Sequence, residues 1–152
     1  MTRKEKAVEL FMQGANCAQA VCGAYADLMG MDVKTACRLS SGFGGGLARQ
    51  REVCGAVSGM CMVANALYGY DVLDDDKEKA AHYRLVRYLC DAFKAAHGSI
   101  ICRELLDTKK ARDTAPDPDP RTEEYYRTRP CARLVATAAE ILEQYIAENP
   151  VI

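Results

Sequence analysis

The sequence has no tryptophan, only two histidines and a formal net charge of −1. Its most apolar run, residues 53–67, is interrupted by glycines and polar residues and is shorter than the roughly 18 residues that a membrane helix needs. The first six residues carry mixed charges and lack the apolar core of a secretory signal. A near-neutral balance gives no electrostatic reason to bind nucleic acid. We therefore expect a soluble, cytoplasmic protein without membrane insertion and without a nucleic-acid partner.

The familiar cysteine spacings are also absent. The sequence contains no C-x-x-C, so neither a thioredoxin-type site nor a zinc ribbon is indicated, and it contains no ferredoxin run. Cysteines are nevertheless abundant; they are Cys17, Cys22, Cys37, Cys54, Cys61, Cys90, Cys102 and Cys131. An even number suits a disulfide framework, but that interpretation needs an oxidising compartment. In a reducing cytoplasm, metal binding, redox chemistry and simple burial remain the alternatives.

The hydrophobic pattern predicts helices and no strands. Apolar residues recur at helical spacing, and alternating apolar and polar residues never persist. Thr2 with Glu5, and Asn16 with Gln19, have the spacing of capping boxes. The predicted helices start at Thr2, Cys17 (to about Met29), Asp32 (to about Ser40), Cys54 (to Tyr68), Asp74, Ile100 (to Leu106, capped by Ser99) and Pro130 (to about Glu148). A chain of 152 residues fits one domain. We predict a single-domain, all-α bundle of six or seven helices.

Two segments interrupt this pattern. Ser41–Gly46 contains four glycines and is predicted to be a flexible loop. Residues 107–129 alternate prolines with aspartates at positions 116–120, which favours an extended, mobile loop.

Four of the cysteines fall in predicted first turns: Cys17, Cys54, Cys102 and Cys131. The start of a helix carries partial positive charge and unpaired amide donors, and both favour a thiolate. A thiolate is the form that binds metals and attacks disulfides. The other four lie inside helices, and for them we expect packing roles, although Cys61 is seven residues after Cys54 and could be its redox neighbour.

A set of ordered segments carries a family resemblance. The segments are Asn16–Val21 (N-C-A-Q-A-V), Ser41–Gly46 (S-G-F-G-G-G), Cys54–Gly59 (C-G-A-V-S-G) and Cys102–Leu106 (C-R-E-L-L), followed by Cys131. Together they resemble the redox-active four-cysteine family with a C-G-A-x-x-G motif (C_GCAxxG_C_C), which is similar to a domain of split-Soret cytochromes. In that domain an iron–sulfur centre is associated with the fold. The resemblance implies redox work and maps the family's four shared cysteines onto Cys17, Cys54, Cys102 and Cys131.

Three chemistries stay open for these four thiols. They could bind an iron–sulfur centre for electron transfer, since four thiolates are the usual requirement. They could form a metal-free thiol–disulfide system, with Cys54 as the expected attacking thiol and Cys17 as a partner. They could also hold zinc, and a helical scaffold with buried cysteines and no cofactor is the remaining alternative.

The neighbours of the cysteines have two interpretations each. Gly44, Gly45 and Gly55 could leave room for a cofactor beside the thiols, or they could serve only a loop and close helix packing. Arg49 and Arg51 could stabilise a thiolate or an anionic cluster, although a solvated charge run is the more ordinary expectation.

Other polar and aromatic residues are less informative. Tyr125 and Tyr126 could cover a site or pack on the bundle, His82 is expected to be solvated, and His97 is expected to be an ordinary residue at a helix end. The apolar helix that starts at Cys54 could pack against a second copy and form a homodimer. The sequence does not indicate which protein exchanges electrons with this one.

Overall fold

The computed structural model describes residues 1–151, apart from the side chain of Thr108. The helices are α1 (Arg3–Met12), α2 (Cys17–Ala24), α3 (Val33–Ser40), α4 (Gly55–Tyr68), α5 (Asp76–His97), α6 (Cys102–Leu105), α7 (Thr108–Ala111), α8 (Glu123–Thr128) and α9 (Cys131–Glu148). The β structure of the described residues is one isolated bridge between Val53 and Ile101. The all-α prediction is confirmed. Within the described part, none of the helices combines the length and the apolar character needed to span a membrane.

The first two helices begin as predicted, with capping boxes. The Thr2 hydroxyl accepts a hydrogen bond from the Glu5 amide at 3.1 Å, and the Asn16 side chain accepts one from the Gln19 amide at 2.9 Å. The second helix is shorter than predicted. It ends at Ala24 because Tyr25 leaves the helical conformation, with φ −116° and ψ 11°. The buried Tyr25 hydroxyl donates to the carbonyl of Ala139 in α9 at 2.6 Å, which ties the end of α2 to the last helix.

In the core, α4 packs against α2, α5 and α9. Two glycines allow the close approach of α4 to α2. A Cβ atom at Gly59 would lie 2.8 Å from the carbonyl oxygen of Ala18, and one at Gly55 would lie 3.2 Å from the Cys17 Cβ. The largest fully buried side chains are Tyr25, Phe11, Phe93, Met60, Leu89 and Leu142.

The short helix α6 starts later than predicted, and Ser99 is not its N-cap. Residues 100–101 are extended because they pair with the chain around Val53, so the helix begins only at Cys102. The Ser99 hydroxyl instead accepts from the Ile101 amide at 2.9 Å and donates to Glu104. The prediction for His82 is also wrong: this side chain is buried and its Nε2 lies 2.7 Å from the Asn65 side-chain oxygen.

The proline-rich segment, residues 107–129, is not a simple extended loop. It contains α7 and α8, which the sequence pattern did not predict. Its middle is held to the first helix, because the Arg121 guanidinium donates to the carbonyls of Phe11 and Ala15, both at 2.9 Å. Asp119 forms ion pairs with both Arg49 and Arg129. These contacts bring the segment over the N-terminal ends of α2 and α9.

Candidate functional site: a four-cysteine cavity

One cavity is lined by all four cysteines that stand at helix starts. Cys17, Cys102 and Cys131 are the first residues of α2, α6 and α9, and Cys54 is the N-cap of α4. All four are buried, free thiols. The cavity measures about 60 Å³, against the roughly 10–15 Å³ that a single water molecule needs. The fold therefore gathers residues from four separate helix starts around a space that could hold a small group.

Cys54 and Cys102 come together through backbone pairing. The Cys54 amide donates to the carbonyl of Ile100 at 2.8 Å, and the Cys102 amide donates to the carbonyl of Glu52 at 2.6 Å. This short antiparallel contact joins the start of α4 to the start of α6. It is too short to produce an alternating sequence pattern, which is why it could not be predicted.

Cys17 and Cys131 line the same cavity because α2 and α9 pack against each other. Each thiol affects the ionisation of the other. The Cys17 thiol, followed by the charges of Arg129 and Arg121, lowers the pKa of Cys131 to about 7 against the opposing effect of burial. The Cys131 thiol, together with burial, raises the pKa of Cys17 well above its ordinary value. Of the two, Cys131 is the thiol that ionises first.

Burial has the largest effect on the pKa values of the other two thiols, Cys54 and Cys102. It raises the pKa of Cys54 to about 12, although the backbone N–H groups of Ala56 and Val57 act in the opposite direction. It also raises the pKa of Cys102, where the nearby Arg51 guanidinium acts in the opposite direction. Cys54 was expected to be the attacking thiol, but the electrostatics of the cavity favour Cys131 for that role.

The glycine segment forms a hydrogen-bonded turn of unusual conformation. After a short 3₁₀ turn, five consecutive residues, 45–49, have φ between 50° and 72°. Three of them, Leu47, Ala48 and Arg49, carry side chains that disfavour this left-handed region by roughly 1–2 kcal/mol each. The turn is closed by hydrogen bonds from the Arg51 amide to Gly45 and from the Glu52 amide to Gly46. Strain of this kind concentrates at functional sites.

The left-handed turn directs Arg51 into the protein. This side chain is only 3% exposed, so the expectation of a solvated charge run is wrong here. Its Nη1 lies 3.8 Å from the Sγ of Cys102, and its Nε donates to the carbonyl of Asp113 at 3.0 Å. Its Nη2 is buried and has no hydrogen-bond acceptor among the described residues. A buried donor without an acceptor costs about 1–3 kcal/mol of folding free energy, so an acceptor placed beside Nη2 would stabilise the protein.

Two further arginines line the cavity, and the sequence did not single them out. Arg129 is paired with Asp119, whereas the charge of Arg121 lies over the rings of Phe11 and Tyr125, at 4.4 and 4.9 Å from their centroids. Tyr125 therefore both covers the cavity and packs on the bundle. The only sequence feature that could have indicated this role was the position of Arg129, two residues before Cys131.

A second depression of about 290 Å³ adjoins the cavity. The residues that line both are Asn16, Gly45, Arg51, Arg121, Tyr125 and Arg129. Arg49 lines only the outer depression and forms ion pairs with Asp113 and Asp119. The approach to the thiols is thus lined by four arginines, Arg49, Arg51, Arg121 and Arg129, and by one carboxylate, that of Asp119.

The glycines named from the sequence separate into two groups. Gly45 and Gly55 line the cavity, while Gly44 lines only the outer depression. A Cβ at Gly44 would lie 2.6 Å from the side chain of Asn16. Gly46, which the sequence did not single out, also lines the cavity, and a Cβ there would lie 2.7 Å from the Cβ of Cys102.

The remaining cysteines and histidines lie outside the cavity lining. Cys22 is buried, with its Sγ 3.6 Å from the carbonyl of Gly59, and the half-buried Cys37 lies 3.9 Å from the carbonyl of Gln19. Both agree with packing roles. The Nε2 of His97 lies 2.8 Å from the hydroxyl of Thr137, as an ordinary structural contact.

The fold and the cavity together define an all-α protein with a buried site of four thiols, which arginine side chains also line. A family model described as "Putative redox-active protein (C_GCAxxG_C_C)" matches residues 15–145. The chain belongs to this family, as the resemblance implied. The search of curated proteins and the search of solved structures each returned no match.

Proposed function

We propose that Cys17, Cys54, Cys102 and Cys131 bind an iron–sulfur centre and that the protein transfers electrons. The observation that carries this proposal is the convergence of the four thiols on one cavity. Four cysteine thiolates are the usual ligand set of both [2Fe–2S] and [4Fe–4S] centres. The family's redox description supports the same class of function.

The residues around the cavity fit such a centre. Four thiolates around iron carry net negative charge, and Arg51, Arg121 and Arg129 line the same space. Among the described residues, only Arg129 of these three has a carboxylate partner. The free Nη2 donor of Arg51 could meet a sulfur acceptor. When bound, the centre would supply one-electron redox chemistry, whose potential depends on charge, hydrogen bonds and solvent access.

The chain's own residues have definable tasks in this proposal. Gly46 and Gly55 keep the wall free of side chains next to Cys102 and Cys17. Tyr125, on the proline-rich segment, shields the thiols from water. Burial raises the pKa of Cys54 and of Cys102, and a thiol must lose its proton to bind a metal, so metal binding at these residues would release protons.

Metal and sulfide analysis tests the proposal directly. Protein purified and reconstituted without oxygen is expected to be brown, with stoichiometric iron and acid-labile sulfide. No group of three or more His, Cys, Asp or Glu side chains in the described part is placed to hold a single metal ion. Stoichiometric zinc in place of iron would nevertheless favour the zinc alternative. A colourless, metal-free protein after reconstitution would contradict both.

A second candidate function is thiol–disulfide exchange without metal. The placement of Cys17 and Cys131 on one cavity favours it, because Cys17 and the arginines beside it stabilise the Cys131 thiolate. Cys131 would attack one sulfur of a disulfide and release the other sulfur as a thiolate. Cys17 would then attack the Cys131 sulfur, release the second thiolate and close a Cys17–Cys131 bond. Reversible formation of this bond in a metal-free protein, detected by mass spectrometry in redox buffers, would support this candidate over the first.

Removal of the buried guanidinium charge is expected to lower the reduction potential of the proposed centre. In the Arg51→Gln variant, the added electron would lose an attractive charge whose Nη1 lies 3.8 Å from the Cys102 sulfur. We expect a shift to more negative potential on the order of tens of millivolts. A redox titration measures it, with Arg84→Gln on an exposed face of α5 as the control. An unchanged potential in folded Arg51→Gln protein would contradict this role.

A further inference from the structure

A second pair of thiols lies between α4 and α5, away from the four-cysteine cavity. The Sγ atoms of Cys61 and Cys90 are 3.9 Å apart. Both thiols are free and half-buried, so they are less enclosed than the four thiols of the cavity. The bundle brings them together from two helices, and packing alone does not require two sulfur atoms to face each other.

This pair is separate from the proposed cofactor site. Neither residue lines the cavity. Cys61 is seven residues after Cys54, the N-cap of α4, which places it about 10 Å further along the helix axis. The pair therefore shares an element with the first site but none of its thiols.

The two thiols are not equivalent. Their contact lowers the pKa of Cys90 and raises the pKa of Cys61, which burial raises further. Burial and, to a smaller extent, Asp91 oppose ionisation of Cys90, but the contact with Cys61 is the larger effect. Cys90 is therefore the better nucleophile, and Cys61 is the neighbour that can resolve a bond formed on it.

We propose that Cys61 and Cys90 form a second redox site, a dithiol that a disulfide substrate oxidises to an intramolecular disulfide linking α4 to α5. The Cys90 thiolate attacks one sulfur of the substrate, which breaks the substrate's S–S bond and releases one thiolate. Cys61, losing its proton to solvent, then attacks the Cys90 sulfur and releases the second thiolate. Two electrons pass from the protein to the substrate, which leaves as two thiols. To form this bond, the sulfur atoms must approach from 3.9 Å to about 2.05 Å.

The test uses the reduced, as-purified full chain, equilibrated with glutathione and glutathione disulfide at a series of ratios. After thiol blocking and trypsin digestion, Cys61 lies in the peptide of residues 52–77 and Cys90 in the peptide of residues 88–94. We expect these two peptides to become linked as the disulfide fraction rises and to separate again on reduction. Fragmentation between Cys54 and Cys61 identifies which of the two is linked.

Single variants test the order of attack. With Cys61→Ala, Cys90 should accumulate as the mixed disulfide with glutathione, because no resolving thiol is present. With Cys90→Ala, Cys61 should react with glutathione disulfide more slowly than Cys90 does in the Cys61→Ala variant. Cys37→Ala, which removes a half-buried thiol on α3, is the matched control and should leave the Cys61–Cys90 bond unaffected.

Two results would overturn the proposal. One is that Cys61 and Cys90 remain free thiols at every ratio while the chain is folded. The other is that oxidation links Cys61 or Cys90 only to cysteines other than each other. Iron and sulfide content is measured on the same samples, so a failure of this proposal is distinguishable from a failure of the proposed iron–sulfur function.

Discussion

Serine in place of Cys17, Cys54, Cys102 or Cys131 is expected to abolish stoichiometric iron and sulfide binding. A hydroxyl is a harder ligand than a thiolate, and soft thiolate ligands select iron–sulfur centres. The four side chains enter one cavity from four helix starts, so no other described cysteine lies on its wall to substitute for a lost ligand. Iron and sulfide analysis after anaerobic reconstitution, with the visible spectrum, measures the loss for each variant.

Cys37→Ser is the matched control for this series. Cys37 is a half-buried free thiol that lies outside the cavity, so its replacement should leave iron and sulfide content unchanged. Circular dichroism establishes that each variant keeps its helical content. If folded variants at all four cavity positions kept full iron and sulfide, the assignment of these ligands would be wrong.

Alanine at Gly46 is expected to destabilise the protein by about 2–5 kcal/mol. Gly46 has φ +72°, a conformation that costs an alanine roughly 1–2 kcal/mol. The new Cβ would also lie 2.6 Å from the Glu52 amide nitrogen and 2.7 Å from the Cβ of Cys102. Overpacking of this kind adds about 1–3 kcal/mol. The free energy of unfolding, measured by urea denaturation of the reduced, metal-free chain, reports the sum.

Gly30→Ala separates the two causes. Gly30 has nearly the same backbone angle, φ +73°, but a Cβ there would have no heavy atom within 4 Å. We expect this control to lose only the conformational part, roughly 1–2 kcal/mol. Equal destabilisation by the two substitutions would show that Gly46 is not held against Cys102. A Gly46→Ala chain that cannot be obtained folded, beside a folded Gly30→Ala chain, would agree with the prediction.

Several features of the fold were predictable because their causes are local. A capping box needs a side chain and an amide three residues apart, and both boxes form at Thr2 and Asn16. The spacing of apolar residues predicted the long helices for the same reason, since one face of a helix recurs every three or four residues. The limit of such reasoning is visible at Tyr25, where a contact with distant α9 ends the second helix early.

The glycine segment shows why part of the site was not predictable. Glycine frequency indicated a flexible loop, yet the turn is ordered by hydrogen bonds such as that from the Glu52 amide to Gly46. Nothing in Leu47, Ala48 or Arg49 favours a left-handed backbone, so only the surrounding contacts can maintain it. Burial of Arg51 follows from this turn and from α6, which supplies Cys102.

By itself, the sequence determined the helical class, most helix starts and the placement of four cysteines at those starts. Their role as metal ligands stays a prediction. Only the tertiary structure decided which side chains meet: the four cysteines around one cavity, Arg51 with Cys102, and Cys61 with Cys90. The physical reason is the distance along the chain over which each interaction acts. Capping and periodicity act within one or two helical turns, whereas the cavity depends on helix packing and one short backbone pairing between residues far apart in the chain.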